Sequence, residues 1–319
     1  MALPKILDDA LDTLVVPGFS RIGYLVRAGQ FDPLDHNALV GKTVVITGPT
    51  SGLGSAAAHQ LAAMGADLIL VGRSAEKLER TKSELVRSSE TQKFQIVVAD
   101  MGDLEAVRQA SQFILKSTTT LHALIHNAGA LLKTREVSPQ GYEVTIATQV
   151  LGPHQMTTDL LPLLRSSSGR VITVSSGGMY GATLTNAALN QSPEMSPAQY
   201  DGTRQYAIAK RIQVTLNEMW AIREPLVSFA AMHPGWADTP GVQESLPAFR
   251  RVMKPLLRSS EQGADTICWL ASCSEKIDSG KFWCDRASRT THRLSRTRKS
   301  DTPEARAALW KWCKERITQ

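Results

Sequence analysis

The sequence predicts an α/β fold, a single domain built on a doubly wound parallel sheet, and three observations predict it. Short β-branched runs alternate with longer stretches of helical periodicity. The runs are apolar throughout rather than alternating, as in parallel strands that helices cover on both faces. The first run ends in a glycine-rich turn that opens a helix, Thr47-Gly48-Pro49-Thr50-Ser51-Gly52-Leu53-Gly54. The chain has 319 residues, of which 42% are hydrophobic and 21% charged, a balance that supports one large core without disulfide or metal staples.

Residues 1–40 read as an N-terminal helical extension. Leu3, Ile6, Leu11 and Leu14 have helical spacing, as do Ile22, Leu25 and Val26, and Pro17-Gly18 divides the two segments. Two readings fit: short helices packed on the domain, or a surface anchor on a membrane or partner. The shortness of the apolar faces and the acids among them favour packing. A Rossmann-type domain is expected over 41–290. Its strands fall at 43–47, 68–71, 94–98, 121–126, 170–174 and 227–232, and Lys281-Phe282-Trp283-Cys284 closes the series. Helices are expected near 52–64, 74–88, 103–116, 140–164 and 203–223. Residues 291–319 read as a basic C-terminal tail, continuing a basic excess that runs from Arg286 to Lys299.

Composition excludes several classes of function. The net charge is +6, but no lysine-rich block with interleaved aromatics occurs, so nucleic acid is not an expected partner. Cys268, Cys273, Cys284 and Cys313 fit neither a metal pattern nor a compact disulfide framework; reduced thiols and no metal site are expected. No apolar run reaches 18 residues, and Lys5, Asp8, Asp9 and Asp12 break any early apolar stretch. The default is therefore a cytoplasmic protein, with peripheral membrane contact through residues 1–40 under the anchor reading.

The glycine turn has the order Gly-x-x-x-Gly-x-Gly. Glycines at a strand-to-helix turn let backbone N–H groups approach a pyrophosphate, whose charge sits at the helix N-terminus. Gly48, Thr50, Ser51, Gly52, Leu53 and Gly54 are thus candidates for holding a dinucleotide. The second strand runs into Gly72-Arg73, where an acid would take the adenosine ribose hydroxyls of NAD(H). The guanidinium of Arg73 suits a 2′-phosphate instead, which favours NADP(H) over NAD(H). The alternative is a solvated arginine opening the next helix.

With these motifs in place the chain resembles the classical short-chain dehydrogenase/reductase family over about residues 41–290. Besides the glycine turn, the resemblance rests on Asp100 after the third strand, Asn127-Ala128-Gly129 after the fourth, Val174-Ser175-Ser176 after the fifth, Tyr206-Ala207-Ile208-Ala209-Lys210, and His233-Pro234-Gly235 after the sixth. It implies that Asp100 lies against the adenine ring and that Asn127, Ala128, Gly129, Pro234, Gly235 and Thr239 line the cofactor. The stretches Val171 to Met179, His233 to Val242 and Gln262 to Thr266, with the extension, resemble one subgroup whose substrate is not defined. Members of the family often pair through two long helices, here 140–164 and 203–223, so a homo-oligomer is an expectation.

The catalytic expectation is a small-molecule carbonyl or alcohol as substrate. Tyr206 and Lys210 are four apart and share a helix face. A tyrosine is mostly protonated at neutral pH, and a lysine charge beside it favours the phenolate. Tyr206 would then give a proton to a carbonyl oxygen or take one from a hydroxyl, with Lys210 also on the nicotinamide ribose. Ser176 would hold the substrate oxygen; Ser175 points to the opposite face by strand alternation. Two departures stand out. Gln149 stands where the family has an Asn that supports a relay water; its amide reaches one methylene further. Ser176 and Tyr206 are also 30 residues apart, which inserts a long segment over 181–203 that reads as a substrate-shaping loop. Residues 241–258, with Leu246, Phe249, Val252, Met253 and Leu256, read as an apolar lid. His233 reads as structural, and Asp238 has no assigned role. Gln149 motivates a second reading, a catalytically silent NADP(H)-binding scaffold or redox-responsive partner protein.

Overall fold

The computed structural model describes residues 5–89, 92–129, 131–184, 192–245 and 247–318. Its strands are β1 (Thr43–Thr47), β2 (Asp67–Gly72), β3 (Phe94–Val98), β4 (Ala123–His126), β5 (Arg170–Val174), β6 (Ser228–Met232), β7 (Phe282–Cys284) and β8 (Ala287–Arg289). They form one sheet in the order β3-β2-β1-β4-β5-β6-β7-β8. All pair in parallel except β8, which turns back on β7. β1 pairs with both β2 and β4, so the strand order reverses there, and a crevice opens at the carboxyl ends. This is the doubly wound, Rossmann-like sheet that the sequence predicts.

The apolar strands follow from two cores. Val45, Ile69, Val71, Leu124, Val171 and Phe229 face one helical layer, made of α6 (Leu104–Ser117), α8 (Gly152–Ser166), α9 (Gly202–Arg223) and α14 (Pro303–Ile317). Their neighbours Val44, Ile46, Leu68, Leu70, Ile125 and Ile172 face the other, made of α4 (Gly52–Ala63), α5 (Ala75–Ser88) and α12 (Ser260–Ser272). Both faces of each strand are thus covered, and no alternation survives.

The helix expected near 140–164 starts as α7 (Val144–Ile146), passes through a π turn (Ala147–Leu151) and continues as α8. Pro153 accounts for the interruption. It has no N–H for the carbonyl of Gln149, four residues back, and its ring crowds that oxygen. Gln213 Nε2 donates to the released carbonyl at 2.8 Å.

The extension folds as α1 (Lys5–Thr13), α2 (Val15–Phe19) and α3 (Arg21–Ala28), packed on the domain. The breaks fall at Leu14 and Ser20; Pro17-Gly18 lies inside α2. The basic segment 291–319 is not an extended tail. It forms α13 (Ser295–Ser300) and α14, and Ala305, Leu309, Trp312 and Cys313 of α14 are buried at helical spacing in the first core. The charge count had hidden that stripe. Trp310 of α14 packs on His154 of α8 and on Trp220 of α9, at ring separations of 5.0 and 4.8 Å. The two helices expected to pair therefore carry this helix over the stretch around His154 and Trp220. β8 and α12 were not foreseen. The lid region forms α10 (Pro240–Ser245) and α11 (Pro247–Met253), with Leu246 outside the described residues. Of the 181–203 segment, residues 185–191 also lie outside them.

The two-residue turn between β7 and β8 holds Asp285 and Arg286, both at positive φ (52° and 56°), as a type I′ hairpin requires. Asp285 points inward and is 3% exposed. It accepts from Arg27 of α3 at 2.8 Å and from Arg258, which precedes α12, at 2.9 Å. Both guanidiniums also donate to the carbonyl of Gly18, at 3.1 Å each. Asp285→Ala would leave two cations buried together and is expected to cost about 3–5 kcal/mol. Urea unfolding checks this, and a loss of less than about 1 kcal/mol would contradict it.

Candidate active site

The glycine turn joins β1 to α4 in a conformation only glycine allows cheaply. Gly48 and Gly52 have φ of 66° and 53°. A Cβ on Gly54 would lie 2.1 Å from the Gly48 carbonyl oxygen. Asn127 ties this turn to the end of β4: its Nδ2 donates to the carbonyls of Thr47 and Gly48, both at 3.0 Å. The N–H groups of Asn127 and Ala128 donate to Thr47 Oγ1 at 3.1 and 3.0 Å. Asn127 thus holds the turn that would hold a cofactor.

The residues fit a dinucleotide. Side chains cap the N-termini of α5, α6, α9, α12 and α14 (Ser74, Asp103, Asp201, Ser259 and Thr302). Helix α4 has no such cap: Ser51 makes no side-chain hydrogen bond there, and its first turn carries no acid. Its leading N–H groups are therefore open to an anion. Thr50 is half-buried beside them, and Leu53 packs its side chain against Gly263 of α12. Thr239 reaches across from the loop after β6 to lie against Gly52. Arg73 is exposed at the end of β2 and makes no ion pair among the described residues. Asp100, exposed after β3, accepts from the Gly102 N–H at 2.8 Å.

The proton-handling groups sit on the same carboxyl edge. Asp201 caps α9 by accepting from the Arg204 N–H at 2.9 Å, and Tyr206 and Lys210 follow on one face. Lys210 is 3% exposed; its Nζ donates to the Val174 carbonyl at 2.8 Å and lies 5.2 Å from the Tyr206 ring centre. Ser175 is buried and donates to the Lys210 carbonyl at 2.9 Å. Ser176 points the other way, toward Tyr206; its Oγ accepts from the Gly178 N–H at 3.2 Å. Burial dominates the titration. Tyr206 is half-buried, and desolvation pushes it up to about 12, with Ser176 opposing. Desolvation pushes Lys210 down to about 7.

Gln149 is fully buried in the π turn, its amide carbon 3.2 Å from where a Cβ on Gly129 would stand. The side chain fits because Gly129 has none. Beside it lies a cavity of about 30 Å³, wide enough for a water, whose mostly apolar wall (Val150, Leu216, Trp220, Phe229) also carries His126, His154, Gln213 and Asn217. Burial pushes both histidines down to about 3, so they are neutral imidazoles.

The turn after β6 completes the edge. Gly235 has a φ of 73°, and its N–H donates to His233 Nδ1 at 2.9 Å. His233 is pushed down to about 3 by burial, with Arg258 nearby, and is structural. Arg258 fills the space a Cβ on Gly235 would need and donates to the Pro234 carbonyl at 3.2 Å. Phe19 was missed by sequence reasoning, being the one aromatic of a short helix. Its ring packs on Gly177, next to Ser176, and edge-on against His233, and its carbonyl accepts from the Trp236 N–H at 2.8 Å. Gln213 was missed as well, although it lies only three residues beyond Lys210 on α9. Asp238 acquires a role: it pairs with Arg250 at 2.7 Å and pins α11, whose Phe249 packs on Trp236. A larger hollow, about 390 Å³, lies at the amino ends of the strands beside Thr43, Asp67 and Lys93, away from this constellation.

The sequence model of the short chain dehydrogenase family matches residues 42–187. The chain is 38% identical over 293 residues to a Bos taurus protein named dehydrogenase/reductase SDR family member 12, covering 90% of each chain. It is 29% identical to Homo sapiens retinol dehydrogenase 12, covering 77% of this chain and 78% of that one. Among solved structures, a short chain dehydrogenase from Salmonella enterica superposes with a TM-score of 0.64 at 22% identity, covering 81% of this chain and all of that one; this likeness concerns the fold.

The buried lysine predicts a pH dependence. Lys210 titrates near 10.5 when unfolded and about 7 when folded. Between those values the unfolded chain binds more protons, so this group's contribution to stability rises with pH. Tyr206 acts oppositely, but only between 10 and about 12. From pH 7 to 10 the thermal midpoint of the cofactor-free protein should rise more steeply in wild type than in Lys210→Met. Parallel profiles would mean that Lys210 keeps its ordinary titration.

Proposed function

The chain belongs to the short-chain dehydrogenase/reductase family and is an oxidoreductase of the hydride-transferring kind; on that premise we propose that it is an NADP(H)-dependent enzyme acting on a small carbonyl or alcohol, with Tyr206 as the acid/base. The observation that carries the reading is the meeting of Ser176, Tyr206 and Lys210 on the carboxyl edge of the sheet, the edge where the uncapped N-terminus of α4 also lies.

The bound nicotinamide supplies or accepts the hydride. The chain's own residues handle the proton. In reduction Tyr206, kept protonated by its surroundings, gives the proton to the carbonyl oxygen. Ser176 accepts from the Gly178 N–H through one lone pair, and its own hydrogen would turn to hold that oxygen. Lys210, oriented by the Val174 carbonyl, stabilises the phenolate that results. Gln149, beside its cavity, would support the water that delivers the replacement proton, in the place of the family's Asn. The NADP(H) preference rests on Arg73, exposed and without an ion-pair partner among the described residues. Asp100, Ala128, Gly129, Pro234, Gly235 and Thr239 would line the remaining length of the cofactor.

The substrate we propose is apolar. Phe19, Trp236 and Phe249 form a connected aromatic wall beside Ser176, and the relative named for retinol, an apolar alcohol, points the same way.

Arg73→Ala should weaken NADPH binding about tenfold to a hundredfold, the worth of hydrogen bonds to a charged group, and leave NADH binding nearly unchanged in a fluorescence titration. Equal losses would refute the 2′-phosphate assignment. Tyr206→Phe should lower NADPH-dependent turnover across a panel of apolar carbonyls by roughly 10²- to 10⁴-fold with cofactor binding retained. Binding without turnover in wild type, and a biological effect untouched by Tyr206→Phe, would favour the scaffold reading.

A further inference from the structure

Helix α3 is folded inside out. Its buried side holds Gly23 and Arg27, the latter 4% exposed. Its outer side holds Ile22, Leu25 and Val26, at 51%, 51% and 37% exposure and spaced i, i+3, i+4. Helix α2 repeats the pattern: Gly18 and Phe19 face inward, while Val15 and Val16, with Leu14 before them, face outward. A helix on a globular domain turns its aliphatic stripe to the core. Here the carboxylate of Asp285 holds Arg27 inside and so holds the stripe out. The close crossing of the two helices fixes the arrangement, since a Cβ on Gly23 would stand 2.4 Å from the Pro17 carbonyl oxygen. Among the described residues, none of these six aliphatic side chains belongs to a hydrophobic core.

We propose that the outer face of α2 and α3 docks on a lipid bilayer containing anionic headgroups. Size argues for lipid over a second copy. The longer helix, Arg21–Ala28, is only about 12 Å long, and a stable protein interface takes roughly 800 Å² from each partner. A bilayer sets no such minimum, because aliphatic side chains enter its boundary singly. Charge agrees. Arg21 is exposed on the same hairpin, and Arg251 and Lys254 are exposed around Val252, itself 76% exposed, on the lid. Two of the nearby acids are engaged: Asp8 pairs with Arg27 and Arg289, and Asp12 with Arg293. Hairpin and lid meet through Phe19, Trp236 and Phe249. The hairpin thus faces the bilayer with Val15 and Val16 and the turn of Ser176 with Phe19. An apolar substrate would reach the site from the lipid without crossing water. That last step rests on the substrate class proposed above, whereas the docking stands on the hairpin alone.

The test is co-sedimentation of the full chain with phosphatidylcholine vesicles, with and without phosphatidylserine. The comparison variant is L25E/V26E, whose changes are outward and leave the fold intact, as an unchanged thermal midpoint and NADPH titration would verify. Wild type should partition onto the phosphatidylserine vesicles, and the variant should lose at least about tenfold. Wild type remaining in the supernatant with both lipids, or the variant binding as well as wild type, overturns the proposal. So does a dimer in vesicle-free sedimentation velocity that L25E/V26E dissolves, which would assign the face to a second copy. No turnover is measured, so a wrong substrate class leaves the result readable.

Discussion

The carboxylate of Asp285 is the point on which the functional end of the molecule turns. Burial alone would raise its titration, but Arg258 and Arg27 more than offset that and hold it below the usual carboxylate range. The group therefore stays charged where charge is expensive, and each of the three ions is tolerable only because the others are present. Through Arg27 it sets the rotation of α3. Through Arg258 it reaches the Pro234 carbonyl and the space over Gly235. Through its own backbone it makes the β7–β8 hairpin. The extension, the turn after β6 and the far edge of the sheet are thus positioned by one side chain.

A second constraint governs the chemistry. Tyr206 and Lys210 share one helix face, and desolvation drives both toward their neutral forms. Such a pair resists carrying charge until a further charge arrives. The positive nicotinamide of an oxidised cofactor would be such a charge, and under the proposed mechanism it would favour the phenolate when there is an alcohol to deprotonate. The Gln149 carbonyl, released by Pro153 and held by Gln213, locks the π turn to α9, the helix that carries Tyr206 and Lys210. The longer amide of Gln149 is accommodated because Gly129 leaves room for it.

Much of this was legible in the residues. Thr43 to Thr47, Leu68 to Val71 and Arg170 to Val174 are apolar throughout because both helical layers need them, and that reads directly as parallel strands. The glycine turn announces itself because Gly48, Gly52 and Gly54 have no substitutes at their φ values and contacts. The opposite faces of Ser175 and Ser176 follow from strand alternation. What failed to show depends on distant partners. Helix α14 was masked by its own arginines and lysines, which cover a stripe of Ala305, Leu309, Trp312 and Cys313. The inward Arg27 has no local signal, since only Asp285, 258 residues away, explains it. Phe19 and Arg258 act by filling space beside glycines, Gly177 and Gly235, that look like ordinary turn residues in the sequence.

Helix α14 bears on how copies of this chain relate to one another. It lies over α8 and α9, with Trp310 wedged against His154 and Trp220 and Arg306 paired to Glu218. A pairing that used the stretch of those helices around His154 and Trp220 would have to lift this roof first, and would bare both side chains to water as it did.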